Sequence, residues 1–311
     1  MEQFELSIWK GDWGLPSIDP ECLQVLVYAK FSNIALKINK SSNLFKTPNG
    51  RLPVLKSNNI TLDKVKDIIG YLRENHYNTE YTLKRKECAK ILAYDVMLKQ
   101  KLFPALQFIW WVDQRNLNEL IRPWYCKAIP FPFNFYYPSK FEQEARSMFE
   151  ALYAREDDMA AIEYKVYSEA RKCLTMLSES LGDSNYFFGS EPTELDAIVY
   201  SYLAPLLKVP LPNPALQNHL KDCKNLVSFI ARISERCFSH DCQEYKAKET
   251  AESMGNYSEG EFPHKRRNQI LAGLFTVLAM TSYVLSTGII KVSIKEDEIT
   301  DLRTKDIIDD E

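Results

Sequence analysis

Residues 4–38, FELSIWKGDWGLPSIDPECLQVLVYAKFSNIALKI, pass from one periodicity to another and back, and that order decides the fold. Phe4, Leu6 and Ile8 alternate with Glu5 and Ser7, the two-residue period of a strand with one buried face. A turn follows at Gly11-Asp12-Trp13-Gly14. Asp19-Pro20 then supplies an N-cap and a proline at the first helical position, where a missing N–H costs nothing. Leu23, Leu26, Val27 and Phe31 recur at helical spacing, and Ile34, Leu36 and Ile38 return to alternation. The stretch therefore reads as a β-α-β unit. Beyond it, Asn49-Gly50 marks a turn before the short apolar strand Leu52-Pro53-Val54-Leu55, and Leu62, Val65, Ile68, Ile69 and Leu72 line one face of a helix.

From about residue 83 the period is helical throughout. Cys88, Ile91, Leu92 and Leu98 mark one helix, and Phe108-Ile109-Trp110-Trp111 lies on the next. Met159, Ile162, Val166, Ala170, Cys173, Leu174, Leu177 and Leu181 form a long amphipathic helix closed by Gly182. Asp196 to Leu207 and Leu226 to Cys237 give two more. Prolines 130, 132 and 138 bar a continuous helix, so the aromatic stretch Phe103 to Pro138 reads as an extended, packed connection. Its rings either fill the junction between domains or meet a partner, and Trp124, Phe131, Phe133 and Phe135 are the candidates for such an interface. Strands first and helices only afterwards mean a small α/β domain joined to an all-α one.

Near the C-terminus, Ile270 to Ile290 (ILAGLFTVLAMTSYVLSTGII) is apolar and free of charge. As a helix it reaches roughly 31 Å, enough for a bilayer's hydrocarbon core. Ile270, Leu271, Leu274, Phe275, Leu278, Tyr283, Leu285 and Ile290 would belong to the anchor, and Lys265, Arg266 and Arg267 form a basic flank that favours the cytoplasmic side. The expected divisions are 1–78 (α/β), 79–245 (helical), 246–264 (polar linker), 265–291 (membrane anchor with its flank) and 292–311 (acidic, disordered tail). A segment so close to the end inserts after translation, as a tail anchor does.

Composition agrees with a folded body at such a location. A net charge of -3 argues against nucleic acid as a partner. The start, Met-Glu-Gln-Phe-Glu, has neither an apolar signal core nor an Arg-rich presequence, so the N-terminal region is expected in the cytosol. Seven scattered cysteines suit a reducing compartment. Cys237, His240 and Cys242 are close in sequence, but three soft ligands at that spacing fit no common zinc module. Neither a metal nor another cofactor is expected.

The element order resembles the glutathione-transferase fold, a thioredoxin-like domain followed by a helical one. Arg51-Leu52-Pro53-Val54-Leu55 stands where that fold carries its cis-proline loop, and Gly189, Pro192, Thr193 and Asp196 match its capping motif in the helical domain. The chemistry departs from the fold's pattern. Lys64 and Val65 stand where the transferases hold an acid-Ser or Gln-Ser pair, and they cannot supply a carboxylate and a hydroxyl. Ser17 and Cys22 are the nearby residues able to activate a thiol at a helix N-terminus. No partner base accompanies them, so Ser17 reads as a turn or capping residue and Cys22 as a small residue of the first helical turn.

Ile8-Trp9-Lys10-Gly11-Asp12-Trp13-Gly14-Leu15-Pro16-Ser17, Phe131-Pro132-Phe133-Asn134-Phe135, Tyr186-Phe187-Phe188-Gly189 and Arg266-Arg267-Asn268-Gln269-Ile270-Leu271 look like a metaxin of the tail-anchored branch. The resemblance implies a non-catalytic, cytosol-facing receptor or scaffold of the mitochondrial outer membrane, acting in protein import and in β-barrel sorting and assembly. It implies as partners a second metaxin, a BamA-like barrel subunit, inner-membrane cristae-organising proteins, precursor proteins and the lipid bilayer. The tail would then lie in the intermembrane space. The alternative is a membrane-tethered glutathione-dependent transferase.

Overall fold

The alternation at the N-terminus is realised as β1 (Phe4–Ile8), an inner strand of a four-stranded sheet. The computed structural model describes residues 4–41, 47–48, 50–58, 60–81, 83–131, 133–154, 158–254 and 265–286. β2 (Leu36–Lys40) pairs with β1 in parallel, β3 (Val54–Ser57) pairs with it antiparallel, and β4 (Ile60–Leu62) completes the order β2-β1-β3-β4. Phe4, Leu6 and Ile8 are buried while Glu5 and Ser7 are half-exposed, as the period of two requires. Ile34 falls outside β2. It lies in the turn after α1 (Pro20–Phe31), where its N–H donates to the Ala29 carbonyl at 2.9 Å. The Leu52–Pro53 bond ahead of β3 is cis, as the resemblance implied.

After α2 (Val65–Glu74) every described element up to Met254 is helical. These are α3 (Arg85–Met97), α4 (Phe103–Gln107), α5 (Gln114–Asn116), α6 (Arg122–Ala128), α7 (Phe133–Leu152), α8 (Met159–Leu181), α9 (Glu194–Lys208), α10 (Ala215–Asp222) and α11 (Lys224–Met254). The residues of α9 from Leu195 to Leu206 are all buried, and α1 packs against it. α1 buries Val25, Tyr28 and Ala29 in addition to the expected stripe, and the Tyr28 hydroxyl donates to the Tyr77 carbonyl at 3.0 Å.

Among the described residues most of Phe103 to Pro138 is helical, which corrects the expected extended connection, although helix is interrupted at Asp113 and again at 129–131, beside Pro130. Pro104 and Pro123 lie within unbroken helical backbone, each directly after a π-helical turn (Leu98–Leu102 and Leu117–Ile121) whose altered hydrogen-bond spacing accommodates the missing N–H. Pro138 sits inside α7. It cannot donate to the carbonyl four residues back, and the Cys126 thiol donates to that Asn134 oxygen instead, at 3.3 Å. A tertiary contact thus replaces the missing helical bond.

The motif before α9 forms as expected. Asp196 accepts from the Thr193 amide at 2.8 Å, the Thr193 hydroxyl at 2.9 Å and the Phe187 amide at 3.0 Å. Gly189 has φ 114°, a backbone conformation that side chains disfavour, and it exchanges amide bonds with Tyr186. Gln217, which carries no obvious signal in the sequence, donates to the carbonyls of Leu206, Leu207 and Val209 at the other end of α9.

Met1–Ser258 forms one compact unit and Glu259–Glu311 a second. α11 runs on to Met254 past a kink at Phe238, so the first part of the expected 246–264 linker is helical, and residues 255–264 lie outside the described ones. The second unit contains α12 (Lys265–Ser286), with Lys265, Arg266 and Arg267 in its first turn. Among the described residues no helix is long and apolar enough to cross a membrane. The apolar part of α12 from Ile270 to Ser286 covers roughly 25 Å, short of a hydrocarbon core of about 30 Å. Ile290, the other residues closing the apolar run and the 292–311 tail lie outside the described residues.

Asp196→Ala removes all three bonds at the start of a buried helix. It should lower the unfolding free energy by on the order of 3 kcal/mol, read from the urea midpoint at unchanged slope.

Candidate functional site

The loop from Trp9 to Ser17, between β1 and α1, is where a thiol-activating residue would stand. Here it is folded tightly on itself. A Cβ on Gly11 would lie 2.0 Å from the Leu15 carbonyl oxygen and 2.4 Å from the Pro16 backbone, so only glycine fits. Trp13 has φ 52°, a left-handed conformation unusual for a bulky residue and costing about 1 kcal/mol or more. Asp12 offsets that cost. One carboxylate oxygen accepts from the Trp13 amide at 2.8 Å, and the other accepts from the Trp124 indole N–H on α6, also at 2.8 Å.

Three further contacts draw the same loop onto the helical half. The Trp13 and Trp124 rings lie 5.8 Å apart between centroids. Lys208 of α9 donates to the Gly14 carbonyl at 3.1 Å, and the Cys242 thiol of α11 donates to it at 3.4 Å. The loop therefore clasps the α/β half to the helical half. Trp124 was a candidate for a partner-facing surface, and its polar edge is engaged inside the chain. Phe133 is half-buried against the core, and Phe131 packs edge-on to Phe135, which is 65 % exposed. Of the Cys237, His240 and Cys242 group, Cys242 belongs to the clasp. Among the described residues no three His, Cys, Asp or Glu side chains gather as a metal site.

The N-terminus of α1 is likewise occupied. Asp19 caps it, accepting from the Cys22 amide at 2.8 Å, and the Asp19 amide donates to the Ser17 hydroxyl at 3.3 Å. Ser17 and Cys22 are both fully buried, and burial pushes the Cys22 thiol well above its ordinary value. A thiol so placed is not a thiolate at neutral pH. Burial, with the Glu21 carboxylate nearby, also raises Asp19, to about 7. The helix end that would stabilise a substrate thiolate holds the chain's own carboxyl group.

Two cavities adjoin this helix end. One, of about 310 Å³, lies by Leu52 and is walled by Trp9, Trp111, Tyr125 and Phe141, with Asp19, Glu21 and Glu144 as its acids. The other, of about 490 Å³, lies among α1, α2, α3 and α9. Arg73 crosses its floor to Glu194 at 2.5 Å and to Glu80 at 3.1 Å. Lys64 is the N-cap residue of α2 and Val65 its first residue, so α2 opens without a carboxylate or hydroxyl at those two positions. Asp12, Asp19 and Lys208 were not legible as site residues. Asp12 and Asp19 looked like turn and cap residues, and nothing local marks Lys208.

These features define a glutathione-transferase-like body whose thiol-handling positions serve as structural contacts. The fold is shared with the beta-etherase LigF of Sphingobium sp. strain SYK-6, at a TM-score of 0.52 and 14% identity over 79% of this chain and 99% of that one. Residues 170–233 match the glutathione S-transferase C-terminal domain family. Residues 22–142 match the outer mitochondrial membrane transport complex protein family. Metaxin-1 of Bos taurus is 38% identical, and metaxin-1 of Macaca fascicularis 40%, each over 93% of this chain and 91% of its own length. The chain belongs to the metaxin family.

Two measurements check the site. Trp124→Phe keeps an aromatic ring but removes the donor to Asp12, and should destabilise by about 1–2 kcal/mol. Asp12→Ala made in the Trp124→Phe background should then cost less than it does alone, as a double-mutant cycle in urea would show. Asp19→Asn isolates the raised carboxyl. The folded state holds the proton up to about 7 and the unfolded state releases it near 3.8. The natural chain should therefore lose stability relative to Asp19→Asn as pH rises through that interval, and show no further relative loss above about 8.

Proposed function

We propose that this metaxin is a non-catalytic, cytosol-facing receptor and scaffold subunit in mitochondrial outer-membrane protein import and in the sorting and assembly of β-barrel proteins. The observation that carries the reading is the coincidence of metaxin membership with a β1–α1 loop committed to structural contacts. A body of this kind acts through its surfaces. A second metaxin, a BamA-like barrel subunit, cristae-organising proteins of the inner membrane and precursor chains are the partners the reading assigns.

The same reading holds the body at the membrane through a C-terminal anchor from Ile270 to Ile290. In its favour, Ile270, Leu274, Phe275, Leu278 and Tyr283 are all more than half exposed along α12, and so many large apolar groups on one helix call for an apolar surrounding. Leu271 and Leu285 belong to the same helix. Lys265, Arg266 and Arg267 at its start favour the cytosolic face, which leaves the tail in the intermembrane space.

Carbonate extraction of mitochondria should leave the full chain in the pellet and release a variant ending at Pro263. The full chain should also co-purify with a barrel-assembly subunit, and recovery without any such subunit would defeat the scaffold reading. The competing reading is a tethered glutathione-dependent transferase, favoured by the cavity beside Leu52. A tenfold excess of glutathione over protein should leave the melting temperature unchanged. A rise, with turnover of a generic electrophile lost in Ser17→Ala, would establish the transferase instead.

A further inference from the structure

The exposed side of α3 holds two kinds of residue. Arg85, Lys86 and Lys90 are exposed cations. Cys88, Leu92 and Val96 are exposed as well, Leu92 by 60% and Val96 by 43%, and the small residues Ala89 and Ala93 lie among them. At 3.6 residues per turn, steps of four place Cys88, Leu92 and Val96 in one row along the helix. The carboxylates of α3 are withdrawn from this side. Asp95 is buried and paired with Lys99 at 2.7 Å, and Glu87 turns back to accept from the Lys84 amide, also at 2.7 Å. Upstream, Tyr81 is 71% exposed beside the exposed Lys84.

An apolar row with Arg85 in line with it and Lys86 and Lys90 to one side, and with no exposed carboxylate on the helix, suits the headgroup region of an anionic bilayer. The apolar side chains enter the boundary layer while lysine and arginine meet phosphate groups. A second copy seated on the same face would bring like charges together, since a two-fold contact pairs a patch with itself. The adjoining cavity mixes Glu21, Glu80, Asp95 and Glu194 with Lys66, Arg73 and Lys99, and Cys88 and Leu92 belong to its lining. A flat lipid surface meets the apolar row and the cations of α3 together.

We propose that α3 is a second, peripheral membrane contact that lays the body of the chain against anionic phospholipid through Arg85, Lys86, Lys90, Leu92 and Val96. This rests on the outer-membrane reading above and adds a surface to it. It also gives the body a preferred orientation at the membrane, which a single anchoring helix does not.

Cys88 lies in the apolar row and reports on it directly. The full chain is reconstituted into vesicles of phosphatidylcholine alone and of phosphatidylcholine with phosphatidylserine. Each preparation is floated and treated with a membrane-impermeant maleimide, and labelling of Cys88 is followed by peptide mass spectrometry. With phosphatidylserine present, labelling should slow by about tenfold or more, and raised salt should restore it, because the attraction is screened. The combined change Arg85→Gln, Lys86→Gln and Lys90→Gln, all at exposed positions, should also restore it.

Equal labelling in both kinds of floated vesicle overturns the α3 contact and leaves the anchor intact. A chain that fails to float overturns the anchor and this contact together. Protection that appears in neutral vesicles only when a second protein is added assigns the face to a protein partner and overturns the lipid contact.

Discussion

The Asp12 carboxylate holds together the part of the structure on which everything else depends. One of its oxygens fixes the Trp13 amide in a left-handed turn, and the other takes the indole N–H of Trp124 from the helical half. With Lys208 and Cys242 on the Gly14 carbonyl, the loop joins β1 to α6, α9 and α11. Gly11 makes this possible, because any side chain there would strike the Leu15 and Pro16 backbone. The strain at Trp13 is tolerable because the surrounding contacts leave the loop little freedom.

The same loop explains why a transferase-like body suits non-enzymatic work. A thiol-activating site needs an accessible hydroxyl or thiol and an unoccupied helix N-terminus. Here Ser17 and Cys22 are fully buried, and the Asp19 carboxyl fills the end of α1. What remains is a rigid carrier with its α/β and helical halves in one compact unit. Its distinctive surfaces are exposed rings near Phe135 and the basic, apolar side of α3, both suited to association.

Where sequence reasoning fell short, the deciding partner lies on another element of the chain. Prolines 130, 132 and 138 argued against a continuous helix between residues 103 and 138, and the chain does leave helix at 129–131, beside Pro130. Pro138 is nevertheless helical, because the Cys126 thiol serves the carbonyl that the proline leaves unbonded. The bond from the Trp124 indole to Asp12 was not legible, because nothing near Trp124 in sequence points to a partner 112 positions away. Gln217 was silent because its acceptors lie at the end of another helix.

Resemblance to the glutathione-transferase fold implied the cis bond at Pro53 and the Gly189 to Asp196 motif, while the sequence by itself determined the β-α-β start and the succession of helices. Each is written in short-range chemistry: a period of two or 3.6, a cap, a proline, a turn. It also marked the apolar, charge-free run near the C-terminus, since hydropathy sums over neighbours. Tertiary structure alone decided that a would-be catalytic loop became a clasp, that the half-buried Asp19 holds its proton to about 7, and that α3 is left with a basic, apolar face. Burial and hydrogen-bond partners are set by residues up to more than two hundred positions apart, such as Gly14 and Cys242 at a separation of 228, and no local pattern records them.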